Sequence, residues 1–265
     1  MEFLQFSFMQ KALLAGIIVG SLSAFLGVFV VLQNLAFLGT GIAHAAFAGI
    51  AIGYLLGVNP IAFTYFFCVI AGLGIAILAQ SQKIREDTAV GIMFSSSMAL
   101  GIFVVSFFKV SNTDLFGYLF GNILAVTRQD LIFSTIVAIF SIFTVLFYLK
   151  EITASILDFE MATVIGIPAV GYKYFLVALI SLCIAISIRI AGIILVSALL
   201  VIPGATALQV SKTLKRALTL STIIGAGTSL AGLSISYYLN SPPGSTIVLF
   251  AGCLFLLIRL MRFNQ

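Results

Sequence analysis

The chain has one histidine, His44, within the apolar stretch Gly39-Thr40-Gly41-Ile42-Ala43-His44-Ala45-Ala46. An imidazole can ligate a metal, carry a proton or hold a structural hydrogen bond. Thr40 precedes it by four residues, so on a helix the two side chains share one face. One histidine does not close a metal site, because zinc usually takes three or four ligands. Taken alone, His44 reads equally well as a hydrogen-bond partner in a packed interior. Polar groups inside a bilayer are costly, which makes each a functional candidate. Arg189 is one, and its bland reading is a snorkelling side chain at the membrane edge. Pro203-Gly204-Ala205 follows the apolar run 193–202 and would kink or break its helix. Broken helices often mark transport routes. Cys68, Cys183 and Cys253 lie far apart in apolar runs, form no CxxC pair, and read as small core hydrophobes.

Several kinds of chemistry are missing. No GxxxxGK[ST] motif occurs, so the chain has no P-loop for ATP. No nucleophile elbow, HExxH or EF-hand loop occurs either, and few carboxylates fall inside apolar runs. A transporter built this way takes its energy from a separate subunit and is not itself an enzyme.

The elements that must position these residues are membrane helices. Hydrophobic residues make up 62% of the 265 positions and charged residues 8%. Soluble domains carry roughly 45–50% and about 25%. So few charges cannot cover a globule of this size, which excludes a soluble enzyme, a disordered chain and a nucleic-acid binder. A spanning helix needs about 20 apolar residues. The 71 residues between Lys11 and Lys83 carry no Lys, Arg, Asp or Glu, enough for three spans near 12–32, 40–57 and 60–82. The amides Gln33-Asn34 and the turn Gly57-Val58-Asn59-Pro60 separate them. Further spans fall at 88–108, 131–149, 172–188 and 190–210. Two more lie within 217–258, split by Asn240-Ser241-Pro242-Pro243-Gly244. The expected fold is all-α: a polytopic helical bundle of nine spans (8–10), forming one permease domain over 1–265. The first apolar run continues directly into more spans without a small-residue cleavage site, unlike a cleaved signal peptide.

Orientation follows from Lys and Arg. With the N-terminus outside and the C-terminus in the cytoplasm, nine fall on the inner side and four (Lys11, Lys109, Arg128 and Arg189) on the outer. Small residues recur at Gly16 and Gly20, and at Gly49, Gly53 and Gly57, a spacing that lets helices approach closely. It places the His44 helix in the interior. Residues 109–130 are amphiphilic enough to lie at the interface or dip back into the protein. The polar segment 150–171 is assigned to the cytoplasm, where a short exposed helix carrying Ile165 and Ile167 would suit a partner protein.

Several segments, in order, resemble the membrane permease of zinc/manganese/iron-type ABC uptake transporters. Residues 38–45 with Gly49 resemble that family's G-D-x-x-x-H-A motif. Asp87-Thr88-Ala89-Val90-Gly91-Ile92 is similar to D-T-x-x-G-I, and residues 118–126 to Y-L-F-G-x-x-L-x-V. Asp158, Ala162 and Gly166 match D-x-x-x-A-x-x-x-G, and residues 195–207 resemble L-x-x-x-L-L-x-I-P-A-A-T-A. Ser241-Pro242-Pro243-Gly244 is similar to the final P-x-G turn.

The resemblance implies a homodimer in a prokaryotic inner membrane, served by two cytoplasmic ATPases and an extracytoplasmic metal-binding protein. It implies that the segment 158–167, with Asp158, Glu160, Ala162 and Gly166, is a coupling helix seated on the ATPase. His44 would then line the ion route at the dimer centre, with no stably bound cofactor. One departure stands out: the family's aspartate is Thr40 here, and some relatives carry aspartate where this chain has Asn122. The candidate metal-contacting residues are thus His44, Thr40, Asn122 and Asp114, the last as compensation for lost charge. The leading expectation is import of a divalent metal, zinc first and manganese or iron next. A metal chelate or small organic nutrient is the alternative within the same fold. An ATP-independent channel or carrier is a third reading, from another class.

Overall fold

In a computed structural model, residues 6–80, 84–108, 121 and 123–263 are described. Among them the chain is helical, with no strand. The helices are α1 (Ser7–Leu32), α2 (Leu38–Leu55), α3 (Pro60–Gln80), α4 (Glu86–Phe108), α5 (Arg128–Phe147), α6 (Leu149–Leu157), α7 (Phe159–Val164), α8 (Ala169–Ala191), α9 (Ile193–Val210), α10 (Leu214–Leu239) and α11 (Pro243–Phe263). A 3-10 turn, Ile123–Ala125, precedes α5. Among the described residues nine helices, all but α6 and α7, are long and apolar enough to cross a membrane. Their positions follow the expected nine spans to within a few residues at each end.

Local chemistry explains the boundaries. Gly57, at φ +65°, closes α2: its N–H donates to Tyr54 O, and Val58 N–H donates to Gly53 O. That pair of bonds caps the last carbonyls of a helix and requires a left-handed residue. Gly57 therefore ends the helix, whereas the spacing had placed it in the packing stripe. Asn59 starts α3 by accepting from the Ile61 and Ala62 amides at 3.0 and 3.2 Å, with Pro60 in the first helical position. Thr127 and Asp130 cap α5 reciprocally. Thr127 N–H donates to Asp130 Oδ2 at 3.1 Å, and Asp130 N–H donates to Thr127 Oγ1 at 3.2 Å.

The chain divides into two compact units, Met1–Val31 with Gly117–Ala138 and Ile186–Gln265, and Leu32–Phe116 with Ile139–Ala185. In the first, backbones approach through glycine. A Cβ on Gly27 would overlap the Leu200 carbonyl, and one on Gly204 would lie 2.9 Å from the Gly27 carbonyl carbon. A Cβ on Gly225 would overlap the Gly20 carbonyl. These pairs hold α1 against α9 and α10 where no larger side chain fits. Ser221 Oγ donates to the Ala24 carbonyl at 2.5 Å across the α1–α10 contact. Helix α9 runs unbroken through Pro203, which is buried. Of the expected kink or break, the break does not occur; proline costs that turn one amide donor, while the tight Gly204–Gly27 contact holds the helix against α1.

In the second unit α2 is the buried centre. Gly49 packs on α3 at Thr64 and Phe67, Gly53 packs on Pro60 and Phe63, and Gly41 faces Val90 of α4. The interior position expected for the His44 helix is observed, with 72% of its span buried.

Candidate functional site

His44 lies two turns into α2 and is half-buried. Its Nδ1 is 2.9 Å from the backbone carbonyl oxygen of Thr40. A carbonyl only accepts, so the imidazole nitrogen there carries the hydrogen. In the neutral ring Nε2 then keeps its lone pair and is the nitrogen free to bind a cation. On the other side Phe94 of α4 stands edge-on to the ring, with centroids 4.4 Å apart and an interplanar angle of 61°. The carbonyl sets the tautomer and the phenyl ring limits rotation. Thr40 is half-buried on the same helix face, as the four-residue spacing requires, but it is its main chain that orients the histidine.

Of the other candidate metal contacts, Asp114 and Asn122 lie outside the described residues. Among the described residues no three His, Cys, Asp or Glu side chains gather into a closed metal site. Two cysteines have hydrogen-bond partners. The Cys68 thiol donates to the Ile42 carbonyl at 3.7 Å, and Cys183 Sγ is 3.2 Å from Ser141 Oγ. Cys253 is exposed.

The segment 150–171 folds as two short helices in place of the single one expected. Asp158 caps α7, its carboxylate accepting from Met161 N–H at 2.8 Å. Gly166, at φ +85°, closes it: Gly166 N–H donates to Thr163 O and Ile167 N–H to Ala162 O. Ala162 is buried, Glu160 is exposed, and Leu157, Met161 and Val164 present apolar side chains outward. The four residues singled out in this segment are therefore a cap, a stop, an inner anchor and an exposed acid on one six-residue helix. Exposed apolar groups beside a charge are the composition of a protein contact.

Three features were not anticipated. Arg189 is not a lone snorkelling residue: it lies in the last turn of α8 and pairs with Asp130 at 3.0 Å. Lys173 of α8 pairs with Glu86 of α4 at 3.5 Å, and the Tyr174 hydroxyl donates to Gln80 at the end of α3. Phe94 was one apolar residue among many. The only sequence signal was sparse charge of opposite sign, without any indication of which residues would meet.

Residues 5–262 match the ABC 3 transport family. The manganese transport system membrane protein MntC of Listeria monocytogenes is 39% identical over 262 residues, covering 99% of this chain and 93% of that protein. The manganese import system permease protein ScaB of Streptococcus gordonii is 37% identical over 259 residues, covering 96% and 93%. The solved structure of PsaBC from Streptococcus pneumoniae in complex with Fab superposes with a TM-score of 0.84 at 33% identity, covering 100% of this chain and 99% of that one.

Proposed function

Because the chain belongs to the ABC 3 transport family, we propose that this integral membrane protein is the permease of an importer that carries manganese into the cell. Its nine spans act as one permease domain in a prokaryotic inner membrane, N-terminus outside and C-terminus inside. Two copies form the ion route, an extracytoplasmic protein delivers the ion, and cytoplasmic ATPases seat on α7 and supply the energy.

The observation that carries this reading is the orientation of His44. Its Nδ1 donates to a carbonyl at 2.9 Å, which leaves Nε2 as a single nitrogen ligand on a buried helix. Thr40, with a neutral hydroxyl, lies one turn before it on the same helix face. Two of the three thiols have partners of their own, Cys68 on the Ile42 carbonyl and Cys183 beside Ser141. Manganese replaces zinc as the first cargo on the strength of the MntC and ScaB relatives' names. A route site must also release its ion, and a weak, open ligand set suits passage.

The test is uptake by the permease reconstituted with its ATPase and metal-binding protein, with manganese, zinc and iron(II) in separate arms. Nucleotide-dependent uptake should be fastest for manganese. Faster zinc uptake would overturn the cargo, and uphill uptake without nucleotide would overturn the ABC mechanism.

A further inference from the structure

Helix α4 touches the His44 face of α2 and, through its first residue, α8. Glu86 is its first residue, and the side chain pairs with Lys173 in the second turn of α8. The side chains are 29% and 23% exposed, so the pair is only partly screened. One turn on, Val90 is buried against Gly41; a Cβ on that glycine would lie 2.8 Å from Val90 Cγ1. Two turns on, about 12 Å along the axis, Phe94 stands on the His44 ring. Contacts this close leave little room for α4 to move without α2.

The α8 end of the pair is joined to the docking segment. Tyr148, which precedes α6, packs on Tyr172 and Phe175 with centroids 5.7 and 6.5 Å apart. Backbone bonds run on from α7 through Ile167 N–H to Ala162 O, Ala169 N–H to Ile167 O and Tyr172 N–H to Pro168 O. Tyr174 meanwhile holds Gln80.

We propose that Glu86 and Lys173 are positioning residues for transport: the pair passes displacement of α6–α7 into α4, and α4 resets the His44 ring through Val90 and Phe94. This rests on the reading of His44 as the passing ligand and of α7 as the ATPase seat. The ion pair then matters less for folding than for the amount of metal moved per ATP hydrolysed.

The experiment is a double-mutant cycle on the reconstituted transporter, reading manganese uptake and ATP hydrolysis together. Glu86→Gln and Lys173→Met should each lower the ratio of manganese moved to ATP hydrolysed about five-fold. The double variant should be no worse than either, since both remove one interaction. Lys173→Arg should retain the ratio, and thermal unfolding midpoints should stay together. An unchanged ratio in both single variants overturns the proposal. So do losses that multiply in the double variant, or uptake and hydrolysis falling together, as simple destabilisation would produce. His44→Ala separates the two readings. If it abolishes uptake while Glu86→Gln keeps the ratio, the ion route stands and the relay fails. If it leaves uptake intact, the ion route fails and the relay fails with it.

Discussion

The main-chain carbonyl of Thr40 accepts from Nδ1 of His44 at 2.9 Å. An aspartate one turn before the histidine would offer a carboxylate as a second ligand. Here the preceding turn orients the imidazole through its backbone, which any residue at position 40 could supply. On the proposed reading, threonine at position 40 gives a less anionic route than the aspartate implied by the family resemblance, and the carbonyl that orients the histidine is still there.

The α1 packing depends on absent side chains. Gly27→Ala places a methyl into the Leu200 carbonyl, while Gly227 has nothing within 4 Å of its missing Cβ. Gly27→Ala should cost about 1–3 kcal/mol by overpacking. Gly227→Ala, mid-helix, should gain about 0.5–1 kcal/mol. Thermal unfolding of the purified permease measures both; equal shifts would contradict the packing described.

Asp130 does two jobs, capping α5 through Thr127 and pairing with Arg189. Asp130→Ala should cost about 1 kcal/mol for the lost bonds from Thr127 N–H and Oγ1 to its carboxylate. Arg189, whose side chain is 36% exposed, should lose under about 1 kcal/mol as Arg189→Met. The Asp130 variant should therefore unfold at the lower temperature. The reverse order in the same unfolding assay would contradict the assignment.

Val164 on α7 is 81% exposed, so Val164→Asp should leave the membrane fold intact. If α7 is the ATPase seat, the variant should retain about a tenth of the partner on co-purification, the loss expected when a charge is buried at an apolar contact. Full retention would remove α7 from that interface.

Much of this was legible in the residues themselves. Long charge-free runs specify spans because a bilayer admits little else, and Asn59-Pro60 and Asn240-Ser241-Pro242-Pro243 marked their ends through turn chemistry. The function of Gly57 was not legible, because a glycine that packs and a glycine that caps look alike until the φ angle is known. Nor were the Glu86–Lys173 and Asp130–Arg189 pairs, whose members lie 87 and 59 positions apart. Periodicity reports which face of a helix is apolar, and it is silent on which helices meet. For the same reason Phe94 could not be connected with His44, although both lie within expected spans. Pro203 did not end its helix, because its missing donor says nothing of the close Gly204–Gly27 contact beside it.

The central claim is that His44 handles the ion in transit. The measurement that tests it most directly is manganese accumulation in a transport-deficient host expressing the full system with His44→Ala, at equal membrane levels of permease and equal ATPase capture. Accumulation should fall about ten-fold or more, the scale of losing a metal-site group. Wild-type accumulation by that variant would contradict the account.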